Sequence, residues 1–337
     1  MKRLLLRATC CALPLIAVAL HAAEPVLDVT RSDVRSFVTD VARRNHLRRR
    51  ELYAVLRDAR PQPRILEAIQ RPAEKSLAWW EYRQRFITAE RIEGGVALWQ
   101  AQRDALTRIA AQSGVPAEYL IAITGVETFY GRVTGKYRVL DALTTLGFDY
   151  PPRSEFFRKE LEQYLLMTRE EGLDPRTLLG SYAGAMGIPQ FMPSSFRRYA
   201  VDGSDDGRRN LWEAGPDVFA SIANYFRGFG WIPGQPVLAE ASNAAAPDDP
   251  AVVPRLELGE TLAQIRARGY ETNASLSPET PAMLVPAALE CGVSWRIGFQ
   301  NFYTITRYNR STLYAMAVHE LAQAILARYR EVTAPAP

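Results

Sequence analysis

Apolar residues recur three and four positions apart along most of this chain, the spacing of one helix face. Val34, Phe37, Val38 and Val41 share such a face, and Ser32 and Asp33 can open the helix, which should run to about Leu56. Helical patterns follow at about 74–86 and 95–112, with Trp79, Trp80 and Trp99 expected in the core. Gly114-Val115-Pro116 breaks the pattern, and Pro116 suits the start of a helix over 117–127 with Gly131 as its stop. Beyond Pro151-Pro152, Ser154 opens an amphipathic helix to about Arg169, and another spans 217–227 before Gly228 and Gly230. Ser311 caps a last helix to about Tyr329, with Leu313, Met316, Ala317 and Leu321 facing inward.

Residues 237–293 lose this period and break at Gly and Pro, which predicts a small irregular β-containing lobe with an Ala/Asp/Pro-rich loop at 244–254. The stretch 294–308 is rich in aromatic and β-branched residues, and no repeat of 20–50 residues is present. The predicted class is therefore mainly α. Hydrophobic content of 47% and charged content of 23% exclude a disordered or fibrous chain.

The first 23 residues read as a secretory signal peptide. Lys2, Arg3 and Arg7 precede an apolar run from Ala8 to Leu20, and Ala22-Ala23 follow it. The run is short and holds Pro14, which argues against a membrane anchor. Cys10 and Cys11 lack the Leu-x-Ala/Gly pattern that precedes a lipidated cysteine, so a soluble periplasmic protein is favoured. Three of the 41 basic residues and none of the 37 acidic ones fall in the leader, so the formal charge drops from +4 to +1. That removes the electrostatic case for nucleic acid. Only Cys291 remains, so the mature chain has no internal disulfide. On the helix before residue 56, Arg43, Arg44 and Arg48, Arg49 and Arg50 form a basic face that is either solvated surface or a contact for an anionic polymer.

Glu127 is the most informative single residue. It is the only acid after Glu118 in a helix otherwise built of Tyr, Leu, Ile, Ala and Val. Burial of such a helix disfavours a carboxylate, and so does the negative end of the helix dipole. Both favour an acid that keeps its proton near neutral pH, as a general acid requires.

Three blocks give that residue a context. They are Gly125-Val126-Glu127-Thr128-Phe129-Tyr130-Gly131; Gly184-Ala185-Met186-Gly187-Ile188-Pro189-Gln190-Phe191-Met192-Pro193-Ser194-Ser195; and Asn301-Phe302-Tyr303-Thr304-Ile305-Thr306-Arg307-Tyr308-Asn309. In this order they resemble lytic transglycosylases of the membrane-bound lytic transglycosylase B type and their soluble relatives, over about 37–326. The resemblance implies a lysozyme-like, goose-type-like core at 115–236 plus 294–310. It also implies a helical lobe from 24–114 plus 311–337, the small lobe at 237–293, and a groove for peptidoglycan glycan strands. It implies that Glu127 protonates the oxygen linking N-acetylmuramic acid to N-acetylglucosamine. As a base, Glu127 then removes the proton of the muramic C6 hydroxyl, which closes a 1,6-anhydro ring. Most glycosidases need two carboxylates; Asp141 and Asp149, the candidates for a second, are read as structural. Ser181, Met186, Gln190, Phe191, Tyr225, Tyr303 and Tyr308 are the implied substrate-binding residues, whereas Phe302 reads as packing. Other cell-wall enzymes are expected as partners of a monomeric chain.

A calcium loop is the expected structural cofactor site, and no organic cofactor is expected. From Asp202 the spacing is that of an EF-hand, with Asp202, Ser204 and Asp206 offering oxygen, Gly207 at the turn, the carbonyl of Arg208, and Glu213 in twelfth place. The resembling family closes a longer loop, 202–217 here, with an Asp matched by Asp217. Either Glu213 or Asp217 can close the site, and Asp217 is the expected one. A nucleotide site is excluded because the segment 131–136 is one residue short of a P-loop and is followed by Tyr137. Zinc is excluded by the wide spacing of His46, Cys291 and His319. The rival functions are a muramidase using water and a second carboxylate, and a wall-binding protein without catalysis.

Overall fold

The computed structural model describes residues 25–70, 77–243 and 256–334. The expected leader at 1–23 and the whole of the 244–254 loop lie outside the described residues. No described helix is long and apolar enough to cross a membrane.

Helices dominate. Before the first block come α1 (Ser32–Arg44), α2 (Arg49–Leu56), α3 (Pro63–Gln70), α4 (Trp79–Phe86), α5 (Ala89–Ala101) and α6 (Arg103–Ser113). The first expected helix is thus two, because the chain turns at His46 with φ of +54°. The expected helix at 95–112 is likewise divided at Gln102. The seventh helix, α7 (Ala117–Thr128), begins directly after Pro116 as expected. It is followed by α8 (Val139–Asp149), α9 (Ser154–Glu170), α10 (Pro193–Tyr199) and α11 (Pro216–Gly228), with the two-residue strands β1 (Tyr137–Arg138) and β2 (Leu179–Gly180) paired antiparallel.

The irregular lobe is a five-stranded antiparallel sheet. Its members are β3 (Leu238–Asn243), β4 (Glu260–Thr261), β5 (Tyr270–Glu271), β6 (Pro281–Ala288) and β7 (Val293–Gly298), in the order β4-β6-β7-β3-β5, with α12 (Leu262–Ala267) packed on it. Leu262, Ile265, Tyr270, Trp295, Ile297 and Phe299 form its own small core. Strand β7 carries the sheet to Gly298, past the expected boundary at 293, because Val293–Gly298 pairs with β6 on one side and β3 on the other. The chain ends in α13 (Gln300–Tyr308) and α14 (Thr312–Thr333), the latter capped by Ser311 as expected.

One continuous apolar core runs from Leu27 through α7 and α8 to Ile325 on α14. Helix α7 sits at its centre, packed by α5, α6, α11 and α14. That surround explains why Tyr119 through Gly125 are all buried, and why the sequence of α7 has no polar face before Glu127.

Candidate active site

Helix α7 ends abruptly at its acid. Phe129 and Tyr130 both take left-handed backbone, with φ of 52° and 61°. Their amides donate to Gly125 O at 3.2 Å and Thr124 O at 3.0 Å, satisfying carbonyls the helix would otherwise leave open. Left-handed geometry costs a non-glycine residue about 1–2 kcal/mol, and side chains offset it here. The Tyr130 hydroxyl donates to Arg91 O at 2.5 Å. Its ring lies on Gly125, where any Cβ would come within 2.8 Å of ring atoms. The guanidinium groups of Arg91 and Arg132 each stand 4.6 Å from the Phe129 ring. Thr128 Oγ1 donates to Ile188 O at 3.0 Å and accepts from Gly131 N at 3.0 Å, tying the first block to the second.

This locked turn leaves Glu127 half-buried, and the Tyr314 hydroxyl donates to its Oε1 at 2.5 Å. Tyr314 lies in a group of rings. It is parallel to Tyr308 at 6.5 Å between centroids, Tyr308 meets Tyr225 at 4.8 Å, and Phe191 packs on both at 5.9 and 5.7 Å. The Tyr225 hydroxyl donates to Arg307 O at 2.7 Å and that of Tyr308 to Pro189 O at 2.6 Å. Burial first, and then the nearby charge of Glu127, raise the Tyr308 and Tyr314 hydroxyls well above the ordinary tyrosine range. They remain protonated donors at any working pH.

The second block forms the wall beside this group. Met186 and Phe191 exchange backbone hydrogen bonds at 2.9 and 3.0 Å, and both side chains are buried. Gln190 donates through Nε2 to Thr134 O at 3.1 Å and Gly187 O at 2.9 Å, so its amide nitrogen holds the loop. Ser181 Oγ accepts from the amides of Ala183 and Ala185. Tyr303 stands outside the ring group, with the Arg307 guanidinium 4.3 Å from its ring. Glu127, Phe191, Tyr225 and Tyr308 are thus brought together.

Sequence reasoning missed Tyr314. Leu313 was expected inward, yet it is half-buried and its neighbour Tyr314 is buried. The signal was available, since Tyr314 precedes Ala317 and Leu321 by three and seven positions on one helix face.

The candidate second carboxylates are engaged elsewhere. Asp141 accepts from Arg60 N at 2.8 Å and pairs with Arg138 at 3.4 Å, and Asp149 pairs with Arg31 at 2.6 Å. His319 is a packed residue, its Nδ1 bonded to the Tyr119 hydroxyl at 2.8 Å.

At the expected metal loop, carboxylate oxygens of Asp202, Asp206 and Asp217 lie within 4.8 Å of one another. Asp217, at the start of α11, is buried and accepts from the amides of Gly203, Ser204 and Asn210 at 2.7–2.9 Å. Asp202 accepts from the amides of Ser204, Asp206 and Gly207 and from Ser204 Oγ. The Arg208 amide donates to Asp206, while Arg209 turns away to pair with Glu171. Glu213 is exposed and outside the cluster. Three hard, negatively charged donors this close fit a calcium-type cation better than a transition metal.

Residues 30–323 match the transglycosylase SLT domain family. The chain is 41% identical over 302 residues to the membrane-bound lytic murein transglycosylase B of Escherichia coli strain K12, covering 87% of this chain and 82% of that protein. The structure of the catenated lytic transglycosylase SltB1 from Pseudomonas aeruginosa is similar at a TM-score of 0.85 and 45% identity, covering 89% of this chain and 98% of that one. The Escherichia coli lytic transglycosylase Slt35, solved in complex with calcium, gives a TM-score of 0.83 at 40% identity, covering 91% of this chain and 96% of that one.

Proposed function

The chain belongs to the transglycosylase SLT domain family, and on that premise we propose that it is a lytic transglycosylase of peptidoglycan with Glu127 as its single acid and base. The bond cut is the β-1,4 link from N-acetylmuramic acid to N-acetylglucosamine. Glu127 gives its proton to the linking oxygen as the bond from that oxygen to muramic C1 breaks. The muramic C6 oxygen then bonds to C1, aided by the substrate's acetamido group, and its proton returns to Glu127. No water is consumed, and the product is a 1,6-anhydro sugar.

The observation that carries this reading is the bond from Tyr314 to Glu127 Oε1, which orients the carboxyl at the end of α7 beside the ring group. The commitment of Asp141 and Asp149 to other partners supports a mechanism with one carboxylate. Phe191, Tyr225 and Tyr308 pack on one another beside the acid and build an apolar wall there. Calcium, held by Asp202, Asp206 and Asp217 with Ser204 Oγ and the Arg208 carbonyl, would neutralise the loop and stiffen it beside the second block. The leader at 1–23 would deliver a soluble monomer to the periplasm, where other cell-wall enzymes are its partners.

Mass spectrometry of products from purified sacculi tests the chemistry. Anhydro products, lighter by one water and without a reducing end, are expected. Reducing-end products would instead mean hydrolysis. Glu127→Gln should abolish lysis while leaving binding to sacculi intact.

A further inference from the structure

Glycine is a poor helix former, because folding must remove more backbone freedom from it than from any other residue. Helix α5 nevertheless carries Gly94-Gly95 in its middle, and α7 carries Gly125 two residues before Glu127. All three face one side chain. A Cβ at Gly94 would come within 2.9 Å of the Tyr130 ring, and a Cβ at Gly95 or Gly125 within 2.8 Å of the Tyr130 hydroxyl oxygen. Tyr130 thus lies in a slot that two helices leave open against their own propensity.

The slot closes the turn that holds the acid. Tyr130 reverses the chain with φ of +61°, its amide donates to Thr124 O at 3.0 Å, and its hydroxyl donates to Arg91 O at 2.5 Å. One residue therefore ties the end of α7 both to its own last turn and to α5, and Glu127 stands inside that tie. Burial pushes the Tyr130 hydroxyl well above the ordinary tyrosine range, so it stays a donor. The same glycines seat the helix that brings Tyr314. A Cβ at Gly95 would also meet Ile325 of α14 at 2.5 Å. Ile325 follows Tyr314 by eleven residues, about three turns, so the two share one face of α14.

We propose that Tyr130 is a positioning residue for Glu127, seated by Gly94, Gly95 and Gly125 so that the carboxyl meets the Tyr314 hydroxyl. The proposal rests on the function given above and adds to it the device that aims the acid. Tyr130 acts through Glu127 and not on the sugar.

The pH–rate profile of the full-length enzyme on purified sacculi tests this. Tyr130→Phe keeps the ring in its slot and removes the tie to α5. It should lower kcat about tenfold at unchanged KM. It should also move the alkaline limb upward, because a carboxyl that drifts from Tyr314 keeps its proton to higher pH. Tyr314→Phe should move the limb the same way, and adding Tyr130→Phe to it should move the limb no further, since both act on one group. Gly94→Ala favours the helix by propensity but sets a Cβ against the ring, and it should lower kcat likewise. An unmoved limb in Tyr130→Phe, shifts that add in the double variant, or wild-type kcat in Gly94→Ala would overturn the positioning role. Lysis that survives Glu127→Gln would overturn the function given above instead.

Discussion

Tyr314, from the last helix, donates a 2.5 Å hydrogen bond to Oε1 of Glu127, at the end of α7. The two residues are 187 positions apart, so the acid is oriented by a contact that only the completed fold provides. Burial of α7 works to keep a proton on a carboxyl there, whereas a hydroxyl donor favours the carboxylate. The bond therefore suits both roles that the proposed function gives Glu127, giving up a proton and later taking one back.

Tyr314→Phe keeps the ring against Tyr308 and removes only that donor. A hydrogen bond to a charged group is worth about 1.5–3 kcal/mol, so kcat should fall roughly ten- to a hundredfold. Without the donor the acid holds its proton to higher pH, and the alkaline limb of the pH–rate profile should move upward. An unchanged profile with unchanged kcat would show that Tyr314 only fills space.

Gly135 has φ of +104°, and a Cβ there would sit 2.0 Å from the carbonyl oxygen of Gly180. The atoms it would meet are backbone atoms of Gly180 and Ser181, so no side chain can yield. Gly135→Ala should cost at least about 3 kcal/mol, read as a lower urea midpoint with an unchanged slope. It should also reduce lysis, because the chain from the first block must pass the second at this point.

Much of this was legible before folding. The start of α7, the cap at Ser311 and the last helix come from local signals, namely Pro at a start, an apolar run and a hydroxyl before it. Helix α8 was not visible, because Val139 through Phe148 are all buried and leave no polar face to set a period. The breaks at His46 and Gln102 escaped because neither residue is a glycine or proline. At the site, Glu127, Phe191 and Tyr308 were named from motif blocks, and Tyr225 from the family resemblance outside them. Tyr314 lies outside those blocks, and its partner is set by how α14 packs on α7, which sequence spacing does not state.

His319 gives the fold a pH dependence. Burial first, and then the charge of Arg296, lower its pKa from 6.5 to about 4. Between those values the unfolded chain binds a proton that the folded chain refuses. Stability is therefore fully present above about pH 6.5, falls as the pH drops to about 4, and levels off below. The most this can amount to is about 3 kcal/mol. His319→Gln, which can still accept from Tyr119, should flatten the slope between pH 4 and 6.5 in urea unfolding. A slope equal to that of the wild type would assign it to other groups.

Asp206 separates the metal from the loop that would hold it. Asp217 is buried under three backbone amides, so removing it would disturb the loop whether or not a cation binds. Asp206 is exposed, and the one described hydrogen bond of its carboxylate is from the Arg208 amide, which an asparagine oxygen can also accept. Asp206→Asn should therefore leave the Tm of chelator-treated protein nearly unchanged. In the wild type, calcium at a hundred times its Kd should add about 2.7 kcal/mol, or several degrees in Tm, and the Asn variant should lose most of that rise. Magnesium should give a much smaller rise, because a loop fixed by so many backbone amides does not readily contract to the tight octahedron that ion demands. If calcium raised the Tm of both proteins equally, the ion would be acting elsewhere, and the cluster of Asp202, Asp206 and Asp217 would be a turn held by its own amides.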